Sequence, residues 1–201
     1  MSILTKPWLD DGKAFDQAPG DGGASLKTTR LGLFVFIGVA TALFSLFATA
    51  YYMRMMLGGW QVLVEPWILW PNTAVLLIGS ILMHWATRLG RRGDMVRARR
   101  MFMAGGVAGI LFLLGQIMAW QQLIALGAYA RVNPANAFFY LITGLHGLHL
   151  LGGLVAWGRG LRKSASGAAA DKVTASMELC GTYWHFMLLV WLGLFLLLLV
   201  T

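Results

Sequence analysis

Two histidines, His146 and His149, stand one helical turn apart in Phe138–Gly153, FFYLITGLHGLHLLGG, a run with no charged residue. A third, His185, lies in Tyr183-Trp184-His185-Phe186, near the start of a charge-free run to the C-terminus, with Glu178 seven residues ahead of it. The fourth histidine of the chain is His84. Imidazoles in apolar segments need a reason, because a polar group away from water is costly unless it is paired. Histidines on different helices can act as the two axial ligands of a b-type haem. Alternatively, a neutral imidazole can bond a hydroxyl, a carboxylate or a main-chain carbonyl of the next helix.

The residues around the histidines favour the second use. A porphyrin between two helices needs small side chains where it lies, whereas Leu145, Leu148 and Leu150 crowd His146 and His149. Thr143, Thr182, Tyr183 and Glu178 are available as polar partners. We therefore expect His146, His149, Glu178 and His185 to form an interhelical polar cluster. For Glu178 a second reading stands beside it, a solvated carboxylate favoured by the dipole at a helix N-terminus. The lone Cys180 lies inside an apolar run and supports neither a disulfide nor a cysteine metal site. No phosphate-binding loop, dinucleotide fingerprint, nucleophile elbow or His-Glu-x-x-His motif occurs, so no catalytic or metal residue is assigned.

The elements that carry these residues follow from composition. The chain of 201 residues is 58% hydrophobic and 12% charged with mean hydropathy +0.68, which indicates a membrane protein. Five windows, 31–53, 66–87, 101–130, 132–158 and 179–201, contain no Asp, Glu, Lys or Arg. Each reaches the roughly 20 residues that cross a hydrocarbon core about 30 Å thick at about 1.5 Å per residue. The expected fold is an all-α bundle of five transmembrane helices, near 31–53, 68–88, 101–126, 136–157 and 179–200. Residues 1–30 mix four acidic and four basic side chains with Gly, Pro and Ser and read as a flexible polar tail. No apolar core of a secretory signal precedes Leu31, so the first span is expected to remain in the mature protein.

Under an alternating topology, fourteen of the sixteen Lys and Arg fall on the side of the N-terminus, and only Arg54 and Arg131 on the other. That bias predicts a cytoplasmic N-terminus and a periplasmic C-terminus. It also gives the net charge of +8 a topological origin, which argues against nucleic-acid binding. The topology places His149 and His185 at similar depth in the inner half, His146 deeper and His84 nearer the cytoplasmic end. Trp60, Trp67, Trp70, Trp85, Trp120 and Trp157 sit near predicted helix ends and read as an interfacial belt. Gly105 and Gly109 form a small-residue face for helix packing, and Gln116 is expected to bond across helices.

Phe138–Gly153 resembles the FFxxTGxHGLHxxxG signature of subunit III of haem-copper terminal oxidases, matched by Phe138, Phe139, Thr143, Gly144, His146, Gly147, Leu148, His149 and Gly153 after a one-residue shift at the aromatic start. Tyr183-Trp184-His185-Phe186 with Val190-Trp191 is similar to its last-helix YWHFxDxVW. Asn72-Thr73, the spacing from Trp85-Ala86 to Gly93-Asp94, Gln116, and Glu178 ahead of His185 continue the match in one register from Leu31 to Thr201. Three acidic positions of the family are replaced, by Arg92, Ala119 and Leu188, and the two extra N-terminal helices of its longer forms are absent from this sequence.

The resemblance implies a cofactor-free subunit of a bacterial inner-membrane oxidase that reduces O2 to water and translocates protons. Haem and copper would reside in partner subunits, with subunit I in direct contact. Structural phospholipid is implied as a ligand, and Arg88 and Trp85 at the end of the second helix are the expected lipid contacts, Arg88 more buried than the loop arginines. Cytochrome c and quinol both remain open as electron donor. A subunit III-like accessory role for nitric oxide reductase and a haem b-binding membrane anchor are the alternatives.

Overall fold

The computed structural model describes residues 22–60 and 66–200. Five helices follow in order: α1 (Gly22–Met56), α2 (Leu69–Arg91), α3 (Met95–Ala125), α4 (Pro134–Ala165) and α5 (Ala170–Val200). All five are long and apolar enough to cross a membrane, and among the described residues there is no strand. Residues 1–21 of the expected polar tail lie outside the described residues, but 22–30 are helical and continue into α1. Helix α1 thus begins within the stretch expected as tail. Helices α3, α4 and α5 likewise overrun their charge-free windows at the end rich in Lys and Arg. Absence of charge marks the hydrocarbon core, whereas a helix continues as long as its backbone bonds are satisfied, and Arg, Lys and Ala are good helix formers.

Local signals fix the connections. Gly93 takes φ +81°, and Asp94 then caps α3 by accepting from the Arg97 amide at 3.1 Å. Asn133 caps α4 by accepting from Ala135 N at 3.1 Å, with Pro134 at the first helical position, where its missing N–H costs nothing. The short turn at Gly93 makes α2 and α3 a close antiparallel hairpin. A Cβ at Gly79 would stand 2.9 Å from the Ala108 methyl, so this seam requires glycine. As expected from the sequence, Gly105 faces α2, while Gly109 meets the Trp184 ring of α5.

Helix α5 is the centre of the bundle, packed against α2, α4 and α1, while α3 closes the far side against α2 and α4. Its most apolar stretch is 44% buried within the chain, against 11% for α1. Trp184, Met187 and Trp191 of α5 are fully enclosed with Leu76, Met83, Phe102, Phe112 and Phe139. α1 lies along α4 and α5 with no comparable face against α2, and this leaves a groove on each of its sides.

The tryptophans divide. Trp67, Trp70 and Trp85 are exposed, as an interfacial belt requires. Trp120 instead donates to Thr143 Oγ1 at 3.0 Å and Trp157 to the Phe102 carbonyl at 2.9 Å, so both stitch α3 to α4. Trp60 turns inward against Tyr51, ring centroids 4.8 Å apart. An indole at a helix end is equally suited to either use, and the neighbouring helix decides which one it serves.

Candidate functional site

Among the described residues, no hydrogen bond joins any two of His146, His149, Glu178 and His185. The structure distributes them over three settings. Seen along a helix of 3.6 residues per turn, residues two apart point in nearly opposite directions. Tyr183 therefore faces α4, where its hydroxyl donates to the His149 carbonyl at 2.8 Å, and His185 faces α2, where its Nδ1 bonds the buried Ser80 hydroxyl at 2.5 Å. A cross-helix tie does run between α4 and α5, but through Tyr183 and the His149 main chain.

His146 is fully buried, and neither ring nitrogen has a hydrogen-bond partner. Aromatic rings close around it: Trp191 at 5.2 Å, Phe112 at 5.7 Å and Phe44 at 6.3 Å between centroids. His149, half-buried, bonds the Leu145 carbonyl of its own helix through Nδ1 at 2.8 Å and lies 5.2 Å from the Phe44 ring. The space that a porphyrin ligated by His146 would need is filled by these rings. Beside this chamber, on the α2–α3 side, Gln116 meets its expectation: Asn72 donates to its Oε1 at 3.2 Å and to the Phe112 carbonyl at 3.1 Å. Trp191 donates to Thr73 Oγ1 at 2.8 Å, so Asn72-Thr73 ties α2 to both α3 and α5.

Glu178 meets neither sequence reading. It lies two turns inside α5 and not at its N-terminus, and it accepts from Arg30 at 2.9 Å and Arg91 at 2.7 Å. One carboxylate thus clasps the basic ends of α1 and α2 to α5. Because α5 extends back to Ala170, the charge-free window beginning at 179 was a poor guide to where the helix starts.

The clasp stands at the mouth of a polar groove of about 500 Å³ between α1, α2 and α5, whose lining includes Arg30, His84, Arg88, Glu178, Thr182 and His185. His84 and His185 face each other there with ring centroids 5.9 Å apart. His84, which the sequence reading left outside the cluster, thus lines this polar groove, and its four-residue spacing from Ser80 on α2 was the available signal. Arg88 lines this groove but is exposed like the loop arginines, contrary to the expected burial, because α1 does not cover that side of α2. Trp85 is 49% exposed and does not line it.

On the other flank of α1 lies a second groove of about 580 Å³. Its walls are mainly apolar, with Leu33 and Phe36 of α1 opposite Gly152, Gly153 and Ala156 of α4, and with Arg159 and Lys163 towards its basic end. A Cβ at Gly153 would come within 2.6 Å of the Tyr183 ring, so the glycine lets Tyr183 reach α4 beside this groove.

Comparison with known proteins decides the family. Residues 20–200 match the family profile described as cytochrome c oxidase subunit III. The chain belongs to the cytochrome c oxidase subunit III family. A probable cytochrome c oxidase subunit 3 of Mycobacterium tuberculosis is 32% identical over 130 residues, a stretch covering 62% of each chain. The chain therefore aligns with less than two thirds of the length of that relative. Cytochrome c oxidase subunit 3 of Thermostichus vulcanus is 30% identical over 173 residues, 84% of this chain and 85% of the relative. That of Synechocystis sp. is 30% identical over 176 residues, 83% of this chain and 72% of the relative. With its five spans and its bacterial relatives, this subunit III homologue is a multi-pass protein of the bacterial inner membrane.

Within the family pattern, the replaced acidic positions occupy different environments. Ala119 is fully buried and Leu188 nearly so, whereas Arg92 is exposed in the α2–α3 turn. A carboxylate at either of the first two would have to find a partner inside the bundle.

Proposed function

We propose that this chain is a non-catalytic, cofactor-free subunit of a bacterial haem-copper oxidase, the complex that reduces O2 to water and moves protons. It packs directly against subunit I, whose haem and copper carry the reaction, and stabilises it. The observation that carries this reading is the family match over 20–200, which takes in the whole described bundle. The filled aromatic surroundings of His146 support it against a haem-binding anchor. The basic end of the bundle, with twelve of the fourteen Lys and Arg among the described residues, faces the cytoplasm.

Structural phospholipid is part of the same proposal. The groove beside Gly152, Gly153 and Ala156 has apolar walls for an acyl chain and Arg159 and Lys163 for an anionic headgroup, each basic side chain near an anionic surface being worth about 1 kcal/mol. Arg88, without an ion pair among the described residues, offers a second headgroup contact across α1. The test is purification of the tagged chain from its native membrane in mild detergent. A co-purifying haem-copper catalytic subunit and retained anionic phospholipid are expected, and the company of a cytochrome c-binding or a quinol-binding subunit identifies the donor. Recovery with a nitric oxide reductase instead would overturn the oxidase assignment, a result that Arg92, Ala119 and Leu188 at three normally acidic positions make worth seeking.

A further inference from the structure

A phospholipid headgroup at Arg88 accounts for the mouth of the groove between α1, α2 and α5 but not for its deeper wall. A phospholipid places its charge at the mouth and its chains deeper, yet here the deeper wall carries imidazoles. His185 lies seven residues beyond Glu178 along α5, about 10 Å further in at about 1.5 Å per residue. The wall is built with care: Ser80, itself only 2% exposed, holds His185 Nδ1, and His84 one turn further along α2 presents its ring to the same space.

We propose that His84 and His185 form a two-imidazole site for a divalent transition-metal ion of the Zn²⁺ type. Imidazole nitrogen is a ligand of choice for such ions, and the nitrogens of two rings on one tetrahedral centre stand about 2.0–2.1 Å from the metal, which puts the ring centroids roughly 5 Å apart. The observed 5.9 Å is within a small side-chain adjustment of that spacing. In the tautomer in which Nδ1 donates to the Ser80 hydroxyl, His185 Nε2 is left as a lone-pair ligand, the arrangement in which an outer partner orients a metal-binding histidine. His84 has no hydrogen bond among the described residues and is exposed to the groove, so its nitrogens are free to coordinate. Water admitted through the groove supplies the remaining positions. Arg30, Arg88 and Arg91 oppose a cation; Glu178 pairs with Arg30 and Arg91, and Arg88 lies one turn beyond His84 towards the basic end of α2. The site therefore binds reversibly and is not a structural zinc of the closed, four-ligand kind.

This inference does not depend on the oxidase reading, since it concerns only residues of this chain. The purified native complex is desalted and titrated with Zn²⁺ alone, and bound metal is counted by elemental mass spectrometry. One Zn²⁺ per chain is expected for the wild type and is lost in His84→Leu, a change at an exposed position that leaves the bundle intact. Ser80→Ala is expected to weaken binding about 10–100-fold without abolishing it. Unchanged stoichiometry and affinity in His84→Leu, or no saturable binding to the wild type, would refute the site. If His185→Leu prevents assembly, the His84→Leu titration still decides.

Discussion

His146 and His185 are both imidazoles in membrane-spanning helices, yet their surroundings are opposite. His146 is sealed among Phe44, Phe112 and Trp191 with both nitrogens bare, whereas His185 bonds Ser80 and opens onto a groove lined by arginines and Glu178. The first setting packs the ring against aromatic side chains. The second is open at a groove with polar walls. A histidine inside a membrane is thus no single kind of site, and what separates the two here is the helix that each ring faces: α3 and the aromatic face of α5 for one, the Ser80 face of α2 for the other.

The aromatic chamber should be the stiffer region. Trp191 touches Phe112, His146 and Phe195 and donates to Thr73, so Trp191→Ala removes ring packing and a cross-helix bond together. A loss of about 3–5 kcal/mol is expected, as for large aromatic truncations in cores, read as the largest fall in Tm of the detergent-solubilised complex. A fall no greater than that from a groove substitution would erase the contrast between the two regions.

The sharpest comparison pairs His146→Leu with His185→Leu. Removing two unpartnered buried nitrogens should stabilise the bundle by up to about 1–3 kcal/mol, the penalty carried by an unsatisfied buried polar group. His185→Leu goes the other way by about 1 kcal/mol, because it leaves the Ser80 hydroxyl with only its own helix to bond. Opposite signs in unfolding titrations of the two variants are the expected outcome; a destabilised His146→Leu would mean that the chamber holds a partner for the ring.

Smaller still is the tie between α4 and α5. Tyr183→Phe deletes the bond to the His149 carbonyl and is expected to cost about 0.6 kcal/mol, the average for an interhelical hydrogen bond in a membrane, with ~1.7 as the upper end. His149→Leu should cost less than Tyr183→Phe, since that side chain bonds only its own helix, and should leave haem and copper in the complex unchanged. Retention of the subunit through graded detergent washes ranks the two, and a reversed order would assign the tie to the imidazole.

The clasp at the groove mouth should be the contribution most sensitive to salt. Glu178→Gln breaks pairs whose arginine side chains are 55% and 64% exposed, and exposed pairs contribute about 0.2–1 kcal/mol each. The difference from wild type should shrink further as salt is raised. A loss that persists in high salt would show that Glu178 does more than hold three helix ends together.

Residue types and their order along the chain were enough for the five spans, the excess of basic side chains at one end, the glycine face on α3 and the cross-helix role of Gln116. These depend on one-dimensional quantities, the length of apolar runs and the cost of placing charge in hydrocarbon, which hold whatever the neighbours are. The proposed cluster of His146, His149, Glu178 and His185 rested on depth alone, and depth is only one coordinate of a helix. The other is the direction around the axis together with the identity of the facing helix. Tyr183 and His185, two residues apart, point to opposite neighbours, so the histidine that shares a depth with His149 bonds α2 instead. His84, a position that depth did not single out, became the partner of His185 because α1 leans towards α4 and leaves that side of α2 uncovered. Charge and hydropathy count residues along the chain, whereas a site needs side chains from different helices to converge, and only the packed bundle brings them together.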